Sequence, residues 1–135
     1  MHRNKRSLAI DLKTSEGKSL FHKLAADADV VVENFRSDVK YRLGVDYETL
    51  KAINGKIIYA SISGFGQDGP YSKRPGVDQI IQGMSGLMSV TGEPGQGPMR
   101  VGVAISDTSA GMFLGQGILL ALLHRERTGE GPVSY

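Results

Sequence analysis

"DVVVENFRSDVKYRLGVDYETLKAINGKIIYASIS", residues 29–63, decides the fold. "DVVVEN", 29–34, is a short β-branched run of the kind that forms a buried parallel strand, and "KIIYASIS", 56–63, is a second. Between them "RSDVKYRLG" reads as a short helix stopped at Gly44. Asp46 is placed to cap "YETLKAIN", where Tyr47, Leu50 and Ile53 point inward and Gly55 stops the helix. Strand, helical crossover, strand is the signature of an α/β fold.

Working outward, "SLAIDLK", 7–13, alternates: Leu8, Ile10 and Leu12 share one face, so a strand is expected. Thr14 is a plausible N-cap for the helix that follows, with Glu16 in its first turn and Leu20, Phe21, Leu24 and Ala25 as its apolar stripe. Short connections and right-handed crossovers place strands 7–13, 29–34 and 56–63 in one parallel sheet. Beyond them lie a Gly- and Pro-rich loop at 64–76, a helix over 77–90 and a loop at 91–99. "RVGVAIS" is weakly strand-like, and a long helix over 107–127 closes the pattern. A chain that starts on a strand and stops at "PVSY" reads as an internal piece of a larger α/β protein, or one needing a partner to cover its edges.

Composition narrows the function classes. The chain has 135 residues, 40% hydrophobic and 22% charged, which is ordinary for one globular domain. A net charge of +2 is too balanced to argue for nucleic acid. Cys is absent, which removes thiol catalysis and thiolate metal sites and suits a reducing cytoplasm. His2, His22 and His124 have no ligand-spaced neighbours, so no metal is expected. The apolar run "GILLALL", 117–123, is too short for a bilayer, so no membrane partner is expected. There is no Walker motif, no GxGxxG after a strand and no GxSxG elbow.

Open parallel sheets bind ligands outside the C-terminal ends of their strands. Those ends supply Asp11, Leu12 and Lys13, then Asn34, Phe35 and Arg36, then Ser63, Gly64 and Phe65. Lys13, Arg36 and Arg42 suit an anionic ligand, and Phe35 suits a flat base. Solvated charges on helix ends are the simpler reading of the same residues. In "GVAISDTSAGMFLGQG", 102–117, Asp107 opens the long helix. Asp is a favoured N-cap, so local rules make it a cap first and a nucleophile second.

Three blocks of the chain bear a resemblance. "RNKRSLAIDLKTSEGK", "ADVVVENF…VTGEP" (28–94) and "VGVAISDTSAG…RTGEG" (101–131) resemble the family III CoA-transferases, which include formyl-CoA transferase, the carnitine-CoA transferases and alpha-methylacyl-CoA racemase. The resemblance implies that residues 1–135 are part of a Rossmann-like, CoA-binding large domain. A smaller second domain and an interlocked homodimer complete the family's architecture. It implies transfer of CoA from an acyl-CoA to a carboxylic acid, with Asp107 as nucleophile through aspartyl anhydride and aspartyl-CoA thioester intermediates. The family's CoA contacts fall on Ile10, Asp11, Leu12 and Lys13, on Asn34, Phe35 and Arg36, on Arg42, and on Arg74, Pro75, Gly76 and Val77. CoA is then a substrate and no metal is implied.

Two departures matter. Racemases of the family carry a His just before the position of Asp78, where this chain has Val77, so racemase activity is disfavoured. The chain also lacks counterparts of the family's first βα units, small domain and C-terminal return. An acyl-enzyme at an unshielded Asp107 is expected to hydrolyse rather than transfer. A catalytically inactive, CoA-binding or oligomerising fragment is therefore the main alternative, and a racemase or lyase of the same family the lesser one.

Overall fold

The computed structural model describes residues 3–131. Its elements in order are α1 (Ser15–Ala26), β1 (Val30–Glu33), α2 (Ser37–Leu43), α3 (Tyr47–Ile53), β2 (Ile58–Ser61), α4 (Asp78–Met84), a 3-10 turn (Leu87–Val90) and α5 (Ile105–Thr128). β1 and β2 pair in parallel, Val30 opposite Ile58 and Glu33 opposite Ser61. The ladder extends one bond each way, through Ile58 N–H to Asp29 O and Ile62 N–H to Glu33 O.

The α/β architecture and its long final helix match the expectation, but the sheet has two strands among the described residues. Residues 7–13 form no strand. Alternation supplies a face to bury, but a ladder needs a partner, and this segment has none among the described residues. Leu8 is exposed, and the segment ends in a turn held by Asp11, whose carboxylate accepts from Lys13 N–H and whose carbonyl accepts from Thr14 N–H. Nor does "RVGVAIS" form a strand. The expected helix over 77–90 is divided, because Gly86 takes the left-handed conformation (φ 84°) and leaves only a 3-10 turn after it.

Local capping follows the sequence closely. The Thr14 side chain accepts from Gly17 N–H, and Asp46 from Thr49 N–H. Gly44 ends α2 with φ 68°, a left-handed stop. The core lies on one face of the sheet, where Val31 and Tyr59 meet Phe21 and Ala25 of α1 and Tyr47 and Leu50 of α3, joined by Ile57. α5 packs against β2 and α4.

α5 runs opposite to the strands. Its last turn is pinned at their N-terminal edge by Arg125, which holds the Asp29 carboxylate at 2.6 Å and Lys56 O at 3.0 Å. Its outward side is apolar and uncovered: Met112, Phe113, Leu119 and Leu120 are each more than 60% exposed. By length and composition alone this 24-residue helix is apolar enough to cross a membrane, against the expectation that no segment is. An unbroken apolar run is not the right measure here, because Gly115, Gln116 and Gly117 interrupt the run without making the helix polar.

Candidate functional site

The C-terminal ends of β1 and β2 are joined by a polar network. Glu33, the last residue of β1, is buried and splits its carboxylate. One oxygen accepts from Phe35 N–H at 2.6 Å. The other accepts from the Ser61 hydroxyl and lies 3.5 Å from Lys40 Nζ. Lys40 in turn donates to the Gln67 amide oxygen at 2.7 Å, and the Gln67 amide nitrogen donates to Ser61 Oγ at 2.9 Å. Desolvation first, and the Glu33 carboxylate second, push the Tyr59 hydroxyl well above its ordinary pKa. Among the described residues that hydroxyl has no hydrogen-bond partner of good geometry.

The loop 64–76 is closed at its base by backbone contact. A Cβ on Gly64 would lie 2.4 Å from Gly76 Cα, and one on Gly76 would lie as close to Gly64 Cα, so neither position admits a side chain. Above this base Phe65 meets Tyr71 edge-on at 5.6 Å, and the Arg74 guanidinium lies 4.3 Å over the Tyr71 ring. The stacking holds a cation at the loop's exit.

Asp107 is not the N-cap of its helix. α5 begins at Ile105 after Ala104, which has no capping side chain, and places Asp107 in the first turn. The cap comes from elsewhere in the chain. Buried Asp78 accepts from Ser106 N–H through one carboxylate oxygen at 2.9 Å and from Gln82 Nε2 through the other at 2.7 Å. Gln82, wholly buried, completes the bridge by accepting from Val101 N–H and donating to Val103 O. A neighbouring carboxylate thus meets one free N–H of the helix start. The Asp107 carboxylate has no hydrogen bond among those found and is exposed.

These three constructions meet around a cavity of about 310 Å³. Its wall includes Asn34, Phe35 and Arg36 from the end of β1, and Arg74, Pro75 and Gly76 from the loop. Ser106, Asp107 and Ala110 come from α5, and Ile62, Ser63, Gly64, Ser72 and Ile81 fill between. Arg36 is partly offset by Asp38 at 3.7 Å, an exposed and therefore weak pair. The remaining candidates lie elsewhere. Ile10, Asp11, Leu12 and Lys13 sit at the turn before α1, and exposed Arg42 lies on α2, its carbonyl accepting from Lys18 Nζ. Val77, next to Gly76, precedes α4 and does not line the cavity. The sequence reading missed Lys40, Gln67 and Gln82 as supports. Only the i, i+4 spacing of Asp78 and Gln82 signalled any of these contacts.

Fold and site together define an α/β protein in which a helix-start carboxylate and two arginines line one strand-end cavity. Comparison with known proteins makes the class specific: the chain belongs to CoA-transferase family III, whose model matches residues 1–133. It is 52% identical over 130 residues to the succinate–glutarate CoA-transferase of Agrobacterium fabrum, covering 96% of this chain and 32% of that protein. It is 47% identical over 132 residues to the acetyl-CoA:oxalate CoA-transferase of Acetobacter aceti, covering 97% and 34%. The crystal structure of a CAIB/BAIF family protein from Brucella suis superposes with a TM-score of 0.93 at 49% identity, covering 97% of this chain and 35% of that one. The chain thus spans about a third of the length of the relatives it matches.

Proposed function

We propose that this chain carries the nucleophile and part of the CoA rim of an acyl-CoA:carboxylate CoA-transferase. The observation that carries the reading is the shared cavity of Asp107, Arg36 and Arg74. An Asp107 oxygen attacks the thioester carbonyl carbon, the C–S bond breaks and CoA leaves as thiolate, giving an aspartyl–acyl anhydride. The thiolate then attacks the aspartyl carbonyl carbon, releasing the donor acid as its carboxylate and leaving an aspartyl-CoA thioester. The acceptor carboxylate repeats the sequence in reverse, which forms the new acyl-CoA and frees Asp107. Arg36 and Arg74 hold CoA phosphates, and Phe35 packs on the adenine.

The names of the relatives suggest dicarboxylates as donor and acceptor acids, so succinyl-CoA with glutarate is the first pair to assay. Formation of glutaryl-CoA, followed by mass spectrometry and abolished in Asp107→Ala, supports transfer. A second reading, a fragment that binds CoA without turnover, is favoured by the exposure of Asp107. CoA binding without glutaryl-CoA would select it. Val77, in place of the racemases' His, keeps racemization a lesser reading. Pairing of two copies through the uncovered face of α5 belongs to the same proposal.

A further inference from the structure

Lys40 and Gln67 do nothing in the chemistry above, yet they connect its two walls. Lys40 is buried on α2, 3.5 Å from Glu33, and its only other hydrogen-bond partner among those found is Gln67, in the first part of the 64–76 loop. Gln67 is exposed, so its two bonds, to Lys40 and Ser61, are not imposed by packing around it. Through Glu33 the same network fixes the Phe35 N–H, at the turn that carries Arg36. One chain of contacts therefore runs from the Arg36 wall of the cavity to the loop that carries Arg74.

We propose that Gln67, held by the buried Lys40–Glu33 pair, is a positioning residue that latches the 64–76 loop and sets the separation of the two cationic walls for the CoA phosphates. The proposal rests on the CoA reading of the cavity. A buried ion pair is a poor source of stability, because desolvating both charges offsets most of their attraction. It is a good source of fixed geometry, since its partners have few alternatives. With the latch open, the fraction of molecules with both walls in place falls, and apparent CoA affinity falls by the same factor.

The test uses the whole chain and Gln67→Leu, which keeps the volume and loses both bonds, beside Gln67→Glu, which keeps an acceptor for Lys40. Amide hydrogen exchange is read in the free proteins, and CoA binding by calorimetry. In Gln67→Leu the amides of residues 64–76 are expected to exchange about tenfold faster, with those of β1 and β2 unchanged. CoA affinity drops about fivefold, and Gln67→Glu recovers most of both effects. Unchanged exchange in the loop would overturn the latch. Faster exchange with unaltered CoA affinity would overturn the positioning role. If the parent chain binds no CoA, the reading beneath the proposal fails and the proposal with it. The exchange data from the free proteins still report separately whether the latch exists.

Discussion

Arg36 and Arg42 separate what spacing suggests from what the fold delivers. Both are cations near the end of β1 in the sequence, but only Arg36 reaches the cavity wall. Arg36→Ala is expected to weaken CoA binding about tenfold, and Arg42→Ala to change it little, both by calorimetry. Equal losses would place CoA across α2 instead. Tyr59 gives a test at alkaline pH. Its folded pKa is raised above the unfolded value near 10, so its contribution is complete below that pH. It is lost as pH rises from there through the folded value. Tyr59→Phe removes a hydroxyl that makes no well-formed hydrogen bond among the described residues, so at pH 7 its stability stays within about 1 kcal/mol of the parent. Its alkaline fall, followed by urea denaturation between pH 8 and about 11, is shallower. An unchanged or steeper fall would show that the folded state does not hold the Tyr59 proton above its unfolded pKa. Asp107 itself was legible as a helix-start carboxylate. That it sits in the first turn, with the capping done by Asp78, 28 residues before Ser106, was not, because a cap supplied by another element leaves no local pattern.

At the scale of elements, the two ends of α5 are set by side chains from other segments, Asp78 at the start and Arg125 of its own last turn against Asp29. Asp78→Ala strips partners from Ser106 N–H and from the Gln82 amide, and should cost about 1–3 kcal/mol in urea denaturation. Asp78→Asn keeps an acceptor and should cost less. Gly76→Ala forces the base of the loop apart, with a penalty of about 1–3 kcal/mol and a loss of CoA affinity that Gly69→Ala, in open space but at positive φ, should not share. The caps of α1 and α3 could be read from the sequence because each bond spans three residues, and β1 and β2 because each is a short apolar, β-branched run. Residues 7–13 misled because alternation describes a strand's faces and says nothing of its neighbours. Helix 77–90 misled because Met84, Leu87 and Met88 keep helical spacing across Gly86, whose positive φ breaks the backbone beneath them.

At the scale of the molecule, the two-stranded sheet and small core of the described residues leave much apolar surface on α5. Sedimentation velocity should show self-association that Leu119→Glu weakens about tenfold or more, since the partner face would then bury a lone charge. A parent chain that stays monomeric throughout would remove α5 as the pairing surface. The α/β pattern and the CoA-transferase blocks were legible because they run along the chain. The supports of the cavity were not, because Lys40 with Gln67 and Asp78 with Ser106 meet only after folding. The proposed chemistry turns on one carboxylate, Asp107, which lines the cavity that these supports surround. The most direct measurement is therefore to incubate the chain with succinyl-CoA and hydroxylamine and map modified residues by mass spectrometry. The account predicts a hydroxamate at Asp107, absent in Asp107→Asn. No adduct at Asp107, under conditions where a full-length relative is trapped, would contradict it.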